Sequence, residues 1–257
     1  MKMFADEFTA MANGAKTKAA LLARNPIGYF LASVLAGAFI GFGVMIAFHV
    51  NGALTGTAFA PFVKILPGAA FSIALSLVII AGSELFTGNT MVMTAGVMRS
   101  TVTMGDLARL WVVCYVGNLV GSVIISLIYW LSLAGSGATA AAIAGAAATK
   151  MSIPFFPLLL RGILCNVLVC LAVWCGFRTK NDVAKLIMTF WCIFCFFSCG
   201  FEHSVANMTT LTLGLLSPCG AAVSIGGFFY NLAVVSLGNI IGGAIFIAIP
   251  YGIISRI

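Results

Sequence analysis

The chain has 257 residues, of which 62% are hydrophobic and 7% charged, against about 25% charged in soluble domains. This composition excludes an ordinary soluble domain and places the chain in lipid. The net charge of +7 comes from basic residues scattered singly between apolar stretches, which argues against a nucleic-acid surface and fits membrane topology.

The N-terminal segment carries Phe4, Phe8, Met11, Ala15, Ala19 and Leu22 at helical spacing, with Lys16 and Lys18 off that stripe. It predicts a cytoplasmic, interfacial amphipathic helix over residues 1–25, ending near Asn25-Pro26. Anchoring and gating are equally open roles for it. This segment has no apolar h-region and no small-residue cleavage site, so no signal peptide is expected. Six apolar stretches follow, at about 27–49, 67–97, 106–133, 154–177, 184–215 and 226–254. Together they form one membrane domain over 26–257. A bilayer core takes about 20 helical residues, so the second and fifth stretches are too long for one simple span. Residues 135–149, rich in Ala, Gly and Thr, are expected to form a loosely packed external connection.

Both long stretches are interrupted by polar residues. The second reads Gly82-Ser83-Glu84-Leu85-Phe86-Thr87-Gly88-Asn89, and the fifth reads Gly200-Phe201-Glu202-His203-Ser204-Val205-Ala206-Asn207. Glu202 lies 118 positions beyond Glu84, and Gly238-Asn239-Ile240-Ile241-Gly242 lies 121 beyond Gly117-Asn118-Leu119-Val120-Gly121. Two matches at nearly one offset define repeats of about 26–133 and 154–254. With three spans in each, the second half runs inverted. The fold class predicted is therefore an all-α membrane protein of six helices in two inverted three-helix repeats, helices 2 and 5 broken. Paired broken helices in inverted repeats point to a transport site at the membrane midplane. With the N-terminus cytoplasmic, Lys2, Lys16, Lys18, Arg24, Arg99, Arg109, Arg178, Lys180, Lys185 and Arg256 fall inside, against Lys64 and Lys150 outside. Arg161 sits near the outer end of span four. The bias puts both termini in the cytoplasm.

Glu84 and Glu202 are the two acidic residues within the spans, at equivalent repeat positions. An ionised carboxylate in lipid is costly, and aiming it at the backbone N–H groups of a broken helix would offset that. They read as braces of the breaks, with Asn89 and Asn207 satisfying freed backbone groups. His203 sits in the second break with no counterpart in the first, and an imidazole titrates near neutral pH. It is the candidate for proton exchange with a solute. Thr87 reads equally as a second site residue or as a partner for the backbone. Phe196, Cys199 and His203 are expected on one helix face, as are Phe71, Leu75 and Val78. Gly37 with Gly41, and the glycine pairs of the two repeat motifs, predict close helix packing. Most of the eight Cys lie in apolar runs and act as small hydrophobes. Cys195, Cys199 and His203 are spaced for a soft metal, but no further ligand completes a set, so no metal and no cofactor is expected.

These motifs resemble the formate/nitrite transporter family. The likeness rests on Glu84-Leu85-Phe86-Thr87, on Gly200-Phe201-Glu202-His203-Ser204-Val205-Ala206-Asn207-Met208, and on Arg161-Gly162-Ile163-Leu164-Cys165-Asn166 with Leu171-Ala172-Val173-Trp174. It extends over essentially the whole chain and is closest to the bacterial nitrite channel branch. It implies an aquaporin-like protomer in a homopentamer of the bacterial inner membrane, embedded in the lipid bilayer, with one pore per protomer. It further implies that Thr87 and His203 form the central site, and that Leu75, Leu85 and Phe86 constrict one side, with Phe71 nearby. Val169 and Phe196 would constrict the other side, Lys150 would attract anions in the outer vestibule, and Asn166 and Asn239 would be polar residues of the pore region. The solute implied is nitrite, with formate and hydrosulfide as alternatives, and protons as partners in transit. Gly88-Asn89 after Thr87 departs from the small hydroxyl residues usual in the formate branch. An aquaporin would need Asn-Pro-Ala at each half-helix, and the one Asn-Pro here is Asn25-Pro26, outside the spans. A membrane enzyme using Ser204 and His203 is disfavoured because adjacent helical residues point about 100° apart.

Overall fold

The computed structural model describes residues 3–256, so Lys2 lies outside the described residues. Among them the chain is helical with short connections: α1 Ala5–Arg24, α2 Pro26–Leu54, α3 Ile65–Gly82, α4 Phe86–Met98 and α5 Met104–Leu131. Then come α6 Ala138–Ser152, α7 Phe155–Arg178, α8 Asp182–Ser198, α9 Ser204–Leu216 and α10 Ile225–Ile254. Helices α2, α3, α5, α7 and α10 are long and apolar enough to cross a membrane. The remaining expected span is divided into α8 and α9, of 17 and 13 residues, each shorter than the length needed to cross a bilayer.

Local chemistry sets the helix limits. Asn25 caps α2, its side chain accepting from the Gly28 N–H at 2.9 Å, with Pro26 at the first position, where a missing N–H costs nothing. Thr103 and Asp106 form a reciprocal capping box at the start of α5. At the two breaks Gly82 and Gly200 take φ of +80° and +72°, a left-handed conformation open to glycine. These turns end α3 and α8.

The two halves form equivalent hydrogen bonds. Glu84 N–H donates to the Ala32 carbonyl and Glu202 N–H to the Arg161 carbonyl, at 3.1 and 3.2 Å. The glycine motifs bring backbones together as expected. A Cβ on Gly121 would overlap the Val34 carbonyl, and one on Gly242 would stand 2.5 Å from the Ile163 oxygen. The helix pairs α2–α5 and α7–α10 thus pack by the same device in each half.

Two expectations are corrected. Residues 138–152 form a helix rather than a loose connection, because Ala is the strongest helix former and Thr139, Ile143 and Ala147 bury one stripe. The apolar stripe of α1 faces protein rather than the membrane interface: Phe8, Met11 and Ala15 are fully buried. Thr101 Oγ1 donates to the Ala12 carbonyl at 2.7 Å, and Arg178 pairs with Glu7. Phe4 packs edge-on against Tyr251, so the two ends of the chain share one face of the molecule.

Candidate functional site: a constricted path through the helix breaks

Each break is built from the same parts. At the first, Asn118 Oδ1 accepts from the Phe86 N–H at 2.9 Å, while its Nδ2 donates to the carbonyls of Ser33 and Glu84 at 2.7 and 2.9 Å. At the second, Asn239 Oδ1 accepts from the Ser204 N–H at 2.9 Å, and its Nδ2 donates to the carbonyls of Gly162 and Glu202 at 2.8 and 3.0 Å. One amide thereby satisfies the first N–H of the new helix and the glutamate carbonyl at the break, and ties both to a carbonyl of the neighbouring helix.

The glutamates brace through side chains, which corrects the expectation that they face helix N–H groups. Glu84 accepts from Lys18 Nζ at 2.6 Å, Tyr29 Oη at 3.1 Å and Asn89 Nδ2 at 2.9 Å. Glu202, 3% exposed, accepts from Lys150 Nζ at 2.8 and 2.9 Å and from Asn207 Nδ2 at 2.7 Å. A full positive charge offsets carboxylate burial better than a partial helix charge, and Asn118 and Asn239 already occupy the N–H groups. Asn89 and Asn207 hold the carboxylates rather than backbone. Lys18 and Lys150 come from α1 and α6, so these two helices are counterparts in the repeat. The sequence reading missed Lys18, Tyr29 and Asn231, whose Oδ1 accepts from Asn207 at 2.8 Å. Asn118 was within reach, since its motif matches that of Asn239.

Two cavities approach the centre from opposite faces. One, of about 520 Å³, is lined by Lys18, Glu84, Asn89, Lys185, Leu75 and Leu85 among others. The other, of about 170 Å³, is lined by Lys150, Glu202, Asn207, Phe71, Phe196 and His203 among others. Between them a chamber of about 10 Å³ is enclosed by Ile40, Ala74 and Ile193 together with Phe71, Leu75, Leu85, Val169, Phe196 and His203. Leu75 and Leu85 border both the large cavity and the chamber, and so form one constriction. Phe71 and Phe196, ring centroids 5.7 Å apart, border the chamber and the smaller cavity, and form the other. Phe71 therefore belongs with Phe196, not with Leu75, while Val169 walls the chamber itself.

Phe86 is not on this path. It packs against Trp111 and Tyr115, centroids 6.3 and 4.9 Å away, and lines an apolar groove on another face. With Leu85 turned to the chamber, the next residue at a helix start must turn away. Cys199 is exposed and leaves the face expected for it, because α8 ends at Ser198 and the Gly200 turn redirects the chain. Phe196 and His203 nevertheless stack, centroids 5.8 Å apart and planes 15° apart. Asn166 and Asn239 are fully buried; Asn239 is spent on internal bonds, whereas the Oδ1 of Asn166 has no partner among the described residues. Asn166 Nδ2 donates to the Asn239 carbonyl at 2.5 Å and to Thr90 Oγ1 at 2.8 Å, so neither amide faces the cavities.

His203 is the N-cap of α9. Its Nδ1 accepts from the Ala206 N–H at 3.0 Å, and its Nε2 lies 2.9 Å from Thr87 Oγ1. Thr87 is fully buried and stands behind the imidazole rather than on the chamber wall. Ser204 Oγ has no partner among the described residues, so the adjacent Ser and His do not form a nucleophile–base pair. The chemistry available is that of one imidazole between two apolar pinches, approached through cavities that each hold a Lys–Glu pair.

Known proteins are similar to this chain over most of its length. The family model for formate/nitrite transporters matches residues 5–253. The nitrite transporter NirC of Escherichia coli (strain K12) is 39% identical over 251 residues, 97% of this chain and 91% of that one. The formate channel FocA of the same organism is 32% identical, over 90% and 87% of the two chains. A solved ion channel of the FNT family superposes with a TM-score of 0.90 at 37% identity, covering 96% of this chain and 97% of that one. A pentameric formate channel with formate bound gives 0.79 at 29% identity, over 88% and 96%. This multi-pass membrane protein belongs to the formate/nitrite transporter family.

Proposed function

We propose that this chain carries nitrite, and related small monovalent weak-acid anions, across a bacterial inner membrane. The observation that carries the reading is the chamber of about 10 Å³, where His203 is the single polar side chain among apolar walls. Its likeness to NirC, stronger than its likeness to FocA, favours nitrite over formate or hydrosulfide. The relatives are transporters or channels, and the reading assigns this protein no catalysis. The functional unit is a homopentamer in the bilayer, with a pathway in each protomer and both termini cytoplasmic. The N-terminal segment 1–25, with its docked amphipathic helix Ala5–Arg24, precedes the channel domain 26–257.

A bare anion crossing two apolar pinches loses most of its hydration, at a cost the neutral acid avoids. Desolvation also raises the proton affinity of a weak-acid anion. Lysines at the cavity walls concentrate the anion, and His203 meets it at the narrowest point with a hydrogen bond or a proton. The test is uptake of nitrite, formate and hydrosulfide into proteoliposomes with internal pH recorded. Nitrite uptake accompanied by a pH change is expected. No uptake of any of the three above empty vesicles would overturn the reading, and a clear preference for formate would move it to that branch.

A further inference from the structure

Arg161 is the seventh residue of α7, about 9 Å along the helix from its first residue at 1.5 Å per residue. Its carbonyl accepts from the Glu202 N–H at 3.2 Å. That bond makes no demand on the side chain, since Ala32 makes the equivalent bond to the Glu84 N–H. Arg161 is exposed, and among the described residues its guanidinium has no ion pair and no aromatic ring facing it. Pro157 and Leu164, at i−4 and i+3, share its face of the helix and are exposed, as is Leu160 beside it. A full charge therefore stands on an apolar flank of a membrane-spanning helix, which is costly unless the charge reaches an anion.

The chain leaves no carboxylate to supply that anion. Its acidic residues are Asp6, Glu7, Glu84, Asp106, Asp182 and Glu202. Arg178, which pairs with Glu7, ends α7, about 26 Å along the helix from Arg161. Asp6 and Asp182 lie at that same far end, beside Glu7 and at the start of α8. Asp106 caps α5 beside the Thr101 turn, which bonds to Ala12 of α1, and Glu84 is held by Lys18 of α1. Glu202 is the one carboxylate on the Arg161 side, and Lys150 holds both its oxygens at 2.8 and 2.9 Å. A second copy arranged about an axis along the membrane normal presents its residues at the same depths, so it brings no free carboxylate either. The anion a bilayer always offers near a helix end is the phosphodiester of its lipids. It matches the two-pronged guanidinium and lies within reach of a long side chain extended toward the headgroups. We propose that Arg161 binds a phospholipid phosphate on the membrane face where α6 ends and α7 begins, the acyl chains lying along Pro157, Leu160 and Leu164. Ala32 holds the equivalent position in the other half, so this lipid site belongs to one repeat alone.

The site rests on the membrane-spanning fold and not on the identity of the solute. The oligomer, purified in detergent and stripped of lipid, is titrated with phosphatidylglycerol, and bound lipid is counted by native mass spectrometry. Arg161→Gln should bind it about fivefold more weakly, the worth of one cation at a lipid surface. Lys64→Gln removes a charge of the same sign from an exposed position on the same side and should bind as the parent does. Leu164→Glu keeps the arginine but gives it a carboxylate at i+3, and should weaken lipid binding as well, so the test does not hang on one variant folding. Parental affinity in Arg161→Gln or in Leu164→Glu, or an equal loss in Lys64→Gln, would overturn the proposal. Release of the lipid by inorganic phosphate, but not by chloride at equal ionic strength, would mark a site for soluble anions and overturn it too. Dissociation of the Arg161→Gln oligomer with lipid still bound would make Arg161 a subunit contact, again overturning the lipid site. Nitrite uptake measured on the same samples tells a failed lipid site from a failed transport function.

Discussion

Lys150→Met isolates what the lysine at the mouth of the smaller cavity does. It removes an ammonium within 2.8 and 2.9 Å of the two oxygens of Glu202 and leaves Asn207 Nδ2 as the one remaining donor to a carboxylate 3% exposed. Removing one partner of a buried pair costs about 3–5 kcal/mol. The Lys150 side chain is 21% exposed, so solvent screens part of the attraction and the loss should sit near the lower end, about 3 kcal/mol. Adding Glu202→Gln removes the stranded charge while keeping an acceptor for Asn207, and should restore stability to within about 1 kcal/mol of the parent. The assay is a double-mutant cycle on denaturant midpoints in mixed micelles. A parental midpoint for Lys150→Met, or a double variant no better than the single, would refute the idea that the pair braces the break.

The same variants separate bracing from attraction. In Lys150→Met the cavity mouth carries the Glu202 charge alone, so nitrite uptake should fall. The fall should be greatest at about 0.01 M salt, where the screening length is about 30 Å, and small at 0.15 M, where it is about 8 Å. The double variant, with no charge of either sign there, should lie between. An unchanged rate at low salt would remove Lys150 from the mechanism.

Phe71→Ala opens the constriction that Phe71 forms with Phe196; a barrier lowered by about 1.4 kcal/mol raises flux about tenfold, with less accompanying pH change, and unaltered flux would show that this pinch is not limiting. Asn239→Ala orphans the Ser204 N–H and the Glu202 carbonyl, at about 1–3 kcal/mol each, and cuts the tie to the Gly162 carbonyl. The folded oligomer on size exclusion should largely be lost; a normal yield would refute the bracing role. Reporter fusions at Lys180 and after Arg256 should read cytoplasmic and one near Lys150 periplasmic, and opposite readings at all three would invert the orientation.

What the sequence made legible follows from which physics is periodic. Apolar length against bilayer thickness located the spans, and Gly-x-Glu repeated at one offset located the breaks, because these depend on residues near in sequence. The partners of Glu84 and Glu202 were not legible. Lys18 lies 66 positions from Glu84 and Lys150 52 positions from Glu202, on helices whose docking no local pattern states. The 135–149 segment misled because Ala and Gly signal looseness in composition, whereas Ala with a buried i, i+4 stripe makes a packed helix. The shared face of Phe196, Cys199 and His203 failed as periodicity, since a left-handed glycine intervenes, yet the fold returned His203 to Phe196 by another route.

The asymmetry between the halves explains how a repeated scaffold makes one site. Leu85 and His203 hold equivalent positions after the bracing glutamates, with φ, ψ of −105°, 124° and −107°, 115°. The backbone at both caps is therefore the same, and only the side chain differs. Leucine at one cap closes the chamber toward the large cavity, and histidine at the other gives it its one polar side chain. Two histidines would make a wet, polar midpoint able to hold a hydrated anion, and two leucines would leave nothing to receive one. A single polar side chain between apolar pinches instead suits a small solute whose charge a proton can cancel, the property that distinguishes a weak-acid anion such as nitrite from chloride.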